Sequence, residues 1–151
     1  MSAYHHRSLF VGDVKTHFLE AGQGPELVLL HGGEYGASAE ITWKHSIGSP
    51  AERFHVIAPD MLGWGGTDKI YNFSDPAGYR INHLRRLFDL LGIHQAFFVG
   101  NSAGGGTIFA LRSWTRRRFK SGKWSPFAAT QVFSKPTLKL ISILICHLLR
   151  T

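Results

Sequence analysis

One five-residue segment, Gly100-Asn101-Ser102-Ala103-Gly104, constrains this chain more than any other stretch. The residues before it, Ala96-Phe97-Phe98-Val99, are short and apolar, as a buried strand would be. Those after it begin small, Ala103 to Gly106, and continue Thr107-Ile108-Phe109-Ala110-Leu111, which can open a helix. A Gly-x-Ser-x-Gly turn between strand and helix holds its serine in a strained conformation with the hydroxyl exposed, and the flanking glycines permit the close approach. The helix N-terminus just beyond favours negative charge and suits a developing oxyanion. Ser102 is therefore a candidate nucleophile.

The segment sits in an alternating pattern. Ser8–Val11 and Val14–Glu20 read as strands joined at Gly12-Asp13, and Leu27–Leu30 as a strand buried on both faces that runs into His31-Gly32-Gly33. Ala39–Ile47 reads as a short helix ending at Gly48-Ser49-Pro50, and Phe54–Ala58 as another buried strand closed by Pro59-Asp60. A glycine-rich loop, Leu62 to Asp68, precedes a helical spacing of Tyr79, Leu84, Leu87, Leu90 and Leu91, stopped by Gly92. Strand, helix and strand alternate, so the expected class is α/β with a mostly parallel sheet.

The net charge of +7 is unevenly placed. Residues 1–111 hold eight of the 17 Lys and Arg and all ten acids; residues 112–151 hold the other nine and no acid. Cys146 is the only cysteine, so an internal disulfide is excluded. It is expected to serve as a small apolar residue. The polar start Met1-Ser2-Ala3-Tyr4-His5-His6-Arg7 has no signal-peptide core behind it, and no window has the apolar length of a membrane span. The expected compartment is the cytoplasm.

Three patterns occur together, each after an expected strand: Leu30-His31-Gly32-Gly33, then Pro59-Asp60-x-x-Gly63-x-Gly65-x-x-Asp68, then Gly100-Asn101-Ser102-Ala103-Gly104. On these, residues 8–111 resemble the first half of the α/β-hydrolase superfamily. The loop His31 to Ser38 and Gly100-Asn101-Ser102 are most similar to the carbon–carbon bond hydrolases that act on meta-cleavage products of aromatic rings. The resemblance implies Ser102 as nucleophile and the backbone amides of Gly33 and Ala103 as the oxyanion hole. It implies a small-molecule substrate, no metal and no organic cofactor. Two departures stand out: residues 38–47 lack the asparagine those enzymes carry near the glycine loop, and Glu34 replaces the third glycine of the hormone-sensitive-lipase-like esterases, the alternative reading. A serine at 102 also argues against the haloalkane dehalogenase and epoxide hydrolase branches, whose nucleophile is a carboxylate.

In the superfamily the chain order is Ser, then Asp or Glu, then His. His31 precedes the serine and is expected to fix the oxyanion loop by hydrogen bonding rather than act as base. Asp60 and Asp68 are expected to cap their loop, Trp64 either lines the site or fills core, and His5 and His6 are expected to form a disordered end. No Asp or Glu follows Ser102, and the only histidine after it is His147. The expectation is a truncated, frame-shifted or spliced product in which residues 112–151 form a non-family or disordered tail, with little activity. A strand Ala96–Val99 lacking its next neighbour would leave an apolar sheet edge open to aggregation or strand pairing. The tail carries the alternative of another class: Arg112, Arg116, Arg117, Arg118, Lys120 and Lys123, interleaved with Trp114, Phe119 and Trp124, hold the ingredients for an anionic surface or nucleic acid. No nucleic-acid fold surrounds them, and nucleic acid is not the expected partner.

Overall fold

A computed structural model describes residues 4–118, with side chains for residues 4–111. The expectations placed on the basic segment beyond Arg118 and on Cys146 and His147 lie outside the described residues.

Leu27-Val28-Leu29-Leu30 is apolar at every position because both its faces are covered. The strands are β1 (His5–Val11), β2 (Val14–Ala21), β3 (Glu26–Leu30), β4 (His55–Pro59) and β5 (Phe97–Gly100). They form one sheet in the order β1-β2-β4-β3-β5. β3 pairs in parallel with β4 (Val28 opposite Ile57) and with β5 (Leu29 opposite Val99), while β1, β2 and β4 pair antiparallel. The described sheet is thus mixed, parallel where the candidate site lies and antiparallel at its N-terminal edge.

Alternation along β3 divides the core. Leu27 and Leu29 join Leu19, Trp43, Ile47, Phe54 and Val56 on one face, beneath α1 (Ala39–Trp43). Val28 and Leu30 join Phe18, Ile57, Leu84, Phe88, Phe98 and Ile108 on the other, beneath α3 (Pro76–Leu90) and α4 (Ala103–Arg118). Helix α3 starts on Pro76, with the Asp75 carboxylate accepting from Gly78 N–H at 2.9 Å. It ends where Gly92 takes a φ of 71°, a conformation that costs glycine little.

Three local expectations are corrected. His5 and His6 are strand residues of β1: His5 pairs with Glu20 and His6 with Leu19, an ordering supplied by β2 rather than by local propensity. The helix expected over Ala39–Ile47 stops at Trp43, and Gly48–Ala51 forms a separate short helix, α2. Proline at 50 is tolerated there because a first helical turn has no acceptor for its missing N–H. Helix α4 continues past Leu111 to Arg118, into the segment expected from residue 112 as a non-family or disordered tail. Among the described residues no helix is long and apolar enough to cross a membrane.

Candidate active site

The chain runs from β3 to β4 on one side and returns over β3 to β5 on the other, so the direction of winding switches between β3 and β5, and the candidate site lies at the carboxyl ends of these two strands. Asn101 and Ser102 alone join β5 to α4. Ser102 has a φ of 50° and is the only non-glycine with positive φ among the described residues. A conformation of this kind costs about 1–3 kcal/mol and persists only where the surroundings enforce it. They do so by tight packing. A Cβ on Gly100 would lie 2.5 Å from the backbone of Gly104 and Gly105, and one on Gly104 would collide with the carbonyl oxygens of Leu30 and His31. Asn101 N–H donates to Leu30 O at 2.9 Å and Gly104 N–H to Asn101 O at 2.8 Å, which pins the turn to the end of β3. Ser102 itself is exposed.

The β3 loop meets this turn. The Cβ that Gly33 lacks would stand 3.0 Å from Ala103 Cβ and 3.9 Å from Trp64 Cζ2. Gly33 is therefore seated against the residue that follows Ser102. The N–H groups of Gly33 and Ala103 donate to no acceptor among the described residues. At Ala103 this is the usual state of a first helical residue.

His31 is fully buried, and both ring nitrogens are engaged by backbone. Nε2 accepts from Met61 N–H at 2.9 Å, which places the proton on Nδ1, where it is donated to Gly32 O at 2.6 Å. Burial pushes its pKa below the ordinary histidine value, outweighing the Gly32 carbonyl and the Asp60 and Glu34 charges that favour protonation. A neutral ring with both nitrogens occupied ties the β3 loop to the β4 loop and has no free lone pair for Ser102.

Asp60 performs the same service one strand over. Its buried carboxylate accepts from Ala39 N–H at 2.6 Å, Gly66 N–H at 2.7 Å and His17 Nδ1–H at 2.7 Å. Thr67 Oγ1 donates to Asp60 O at 2.8 Å, and Asp68 accepts from Lys15 N–H at 2.7 Å. Both aspartates hold loops. His17, whose Nε2 lies 3.0 Å from His6 Nδ1, and Thr67 are the structural partners that sequence reasoning missed. The His17–Asp60 contact spans 43 positions and leaves no local signal.

Trp64 lies against the β3 loop, its ring 6.3 Å from that of His31 and its Nε1–H directed to Glu34 O at 3.4 Å. The Arg80 guanidinium sits over its face, 5.3 Å from the ring centroid. A cleft of about 650 Å³ lies elsewhere, at the opposite end of β4, lined by His5, Glu20, residues 21–24 and His55. There burial opposes the charge on His55, but hydrogen bonds from its ring to Glu26 (2.9 Å) and Glu20 (3.0 Å) raise its pKa. That cleft is remote from Ser102.

Residues 25–121 match the family model described as the alpha/beta hydrolase fold. The chain belongs to the α/β-hydrolase family. It is 40% identical over 107 residues to the 2-hydroxy-6-oxo-6-(2'-aminophenyl)hexa-2,4-dienoic acid hydrolase of Metapseudomonas resinovorans, covering 70% of this chain and 37% of that one. The solved 2-hydroxy-6-oxo-6-phenylhexa-2,4-dienoate hydrolase of Rhodococcus sp. strain RHA1 overlays with a TM-score of 0.69 at 33% identity, over 77% of this chain and 43% of that one. An epoxide hydrolase from Vigna radiata overlays with a TM-score of 0.68 at 27% identity, over 80% and 39% respectively. The chain thus spans less than half the length of each of these proteins. The backbone fold is shared across different chemistries, so side chains at the site have to discriminate among them.

Proposed function

We propose that the chain carries the nucleophile half of a serine hydrolase that cleaves carbon–carbon bonds in ring-cleavage products. In this reading Ser102 attacks a ketone carbonyl, and the N–H groups of Gly33 and Ala103 receive the developing oxyanion. Collapse of the adduct breaks the carbon–carbon bond, leaves an acyl group on Ser102 and releases a dienoate that takes up a proton; water then hydrolyses the acyl-enzyme. The observation that carries the reading is Ser102 held at a φ of 50° one residue before a helix, with Gly33 packed against Ala103. The relatives' names favour the dienoate substrate over a simple ester. Nucleophile and amides are all this chemistry asks of these residues, so neither metal nor organic cofactor is part of the reading.

Serine attack also needs a base and an acid to orient it. The sequence has no Asp or Glu after Asp89, and these 151 residues alone are proposed to turn over little. The test is a chimera joining residues 1–121 to the complementary C-terminal part of the Metapseudomonas hydrolase. It is expected to cleave 2-hydroxy-6-oxo-6-phenylhexa-2,4-dienoate faster than p-nitrophenyl acetate. Hydrolysis of the ester alone would replace this reading with that of a carboxylic esterase.

A further inference from the structure

Two histidines meet on the first hairpin. In the register of β1 against β2, His6 lies opposite Leu19 and Ser8 opposite His17, so His6 and His17 stand one diagonal step apart on the same face. Their rings stack with centroids 5.2 Å apart, and Nδ1 of His6 lies 3.0 Å from Nε2 of His17. Asp60 fixes the tautomer of His17: its buried carboxylate takes the Nδ1–H at 2.7 Å, which leaves the Nε2 lone pair of the neutral ring directed at His6. The outer nitrogen of His6, Nε2, is 3.7 Å from Glu40 Oε1, and that oxygen also accepts from Tyr4 O–H at 3.0 Å. Each imidazole thus has a carboxylate on its far side, and the two near nitrogens face each other.

A metal-bound histidine is held in this way, its other N–H on a carboxylate that orients the ring and raises its basicity. Two nitrogens, each about 2.0–2.1 Å from a zinc ion, stand about 2.9 Å apart at a right angle and about 3.3 Å apart at the tetrahedral angle. The separation of 3.0 Å between His6 and His17 falls inside that range. When His6 carries its proton on Nδ1, the same gap is a hydrogen bond donated to His17; moving that proton to Nε2, on the Glu40 side, frees both lone pairs.

We infer that His6 and His17 chelate a divalent transition-metal ion of the zinc type, with Asp60 and Glu40 as the carboxylates behind them. Imidazole suits ions of this class rather than magnesium or calcium. Among the described residues no group of three or more His, Cys, Asp or Glu is arranged to hold a metal ion, so water completes the coordination of this pair. His6 is half exposed and gives the ion its path in, while the largely covered His17 supplies the rigid side. The ion joins β1 to β2 and, through Asp60, to the amides of Ala39 and Gly66 that this carboxylate holds. Strands β4 and β3 separate β2 from β5, so its role is structural and stands apart from the chemistry proposed for Ser102.

The experiment titrates Zn²⁺ alone into the full chain by calorimetry, and compares His6→Ala with His5→Ala, its exposed neighbour on β1. Zn²⁺ is expected to bind at one site and to be held about ten-fold or more weakly by His6→Ala and by His17→Ala, since even a partner behind a ligand is worth about ten-fold. His5→Ala is expected to bind as the unaltered chain does. Because the ion is held by the folded hairpin, Zn²⁺ is expected to raise the urea midpoint of the unaltered chain but not that of His6→Ala. One equivalent of Cu²⁺ in place of Zn²⁺ gives a spectroscopic readout, with coupling to two imidazole nitrogens in the unaltered chain and to one in His6→Ala. Absence of Zn²⁺ binding by the unaltered chain would overturn the inference. So would an affinity that His6→Ala leaves intact, an equal loss in His5→Ala, or a copper signal that keeps both nitrogens in His6→Ala.

Discussion

His83 shows how one side chain can set the acid limit of the fold. It is 5% exposed on α3, its Nε2 2.9 Å from Thr16 Oγ1, and among the described residues no partner meets its Nδ1. Thr16 Oγ1 also lies 3.3 Å from Val14 O, to which it donates, so Nε2–H donates to the hydroxyl and Nδ1 is left as a bare acceptor. Burial, aided by the Arg86 charge, lowers its pKa to about 4. The unfolded chain takes up this proton near pH 6.5 and the folded chain only near 4, so stability is full above that window and falls as the pH drops through it. The expected loss is on the order of 3 kcal/mol. In His83→Leu, urea unfolding at several pH values should show a shallower decline between pH 6.5 and 4, with His31, shifted in the same direction, supplying what remains. An unchanged slope would remove His83 as its cause. His55 acts in the opposite sense: its raised pKa adds stability at low pH that is lost as the pH rises through that pKa.

Elements meet most tightly where β3, β5 and α4 converge. Gly104 lets the first turn of α4 lie directly on the carbonyls of Leu30 and His31, and any side chain there must drive helix and strand apart. Gly104→Val is expected to cost about 3 kcal/mol or more, at the upper end of overpacking effects, read as a lower urea midpoint. A change under about 0.5 kcal/mol, the size of a surface substitution, would show that the elbow is not held by this contact. The same convergence explains which features the sequence displayed. Residues whose roles follow from neighbours in the chain were readable: the apolar runs of β3 to β5, the Pro76 start and Gly92 stop of α3, and the elbow around Ser102. Residues whose roles depend on distant partners were not. His5 and His6 look like a polar end until β2 lies beside them, and Arg80 looks like one more surface cation until Trp64 comes beneath it. The break between Trp43 and Gly48 was hidden because Ile47, buried beside α1, continues the apolar spacing across it.

At the scale of the whole molecule, the described sheet ends on β5, which pairs with β3 and with no other described strand. Phe98 and Val99 are buried by the two faces, yet one row of backbone N–H and C=O groups on β5 has no strand partner among the described residues. Such an edge is a template for another strand, which is why aggregation or strand pairing through β5 is proposed. The central proposal is that Ser102 is a nucleophile and that these 151 residues alone supply it with no working base. Its most direct test is the site and rate of covalent capture by a fluorophosphonate, read by peptide mass spectrometry over hours. The account predicts an adduct on Ser102, absent in Ser102→Ala, that accumulates far more slowly than in a serine hydrolase with a complete triad. An adduct confined to other residues would contradict the nucleophile, and rapid labelling of Ser102 would contradict the missing base and point to His147.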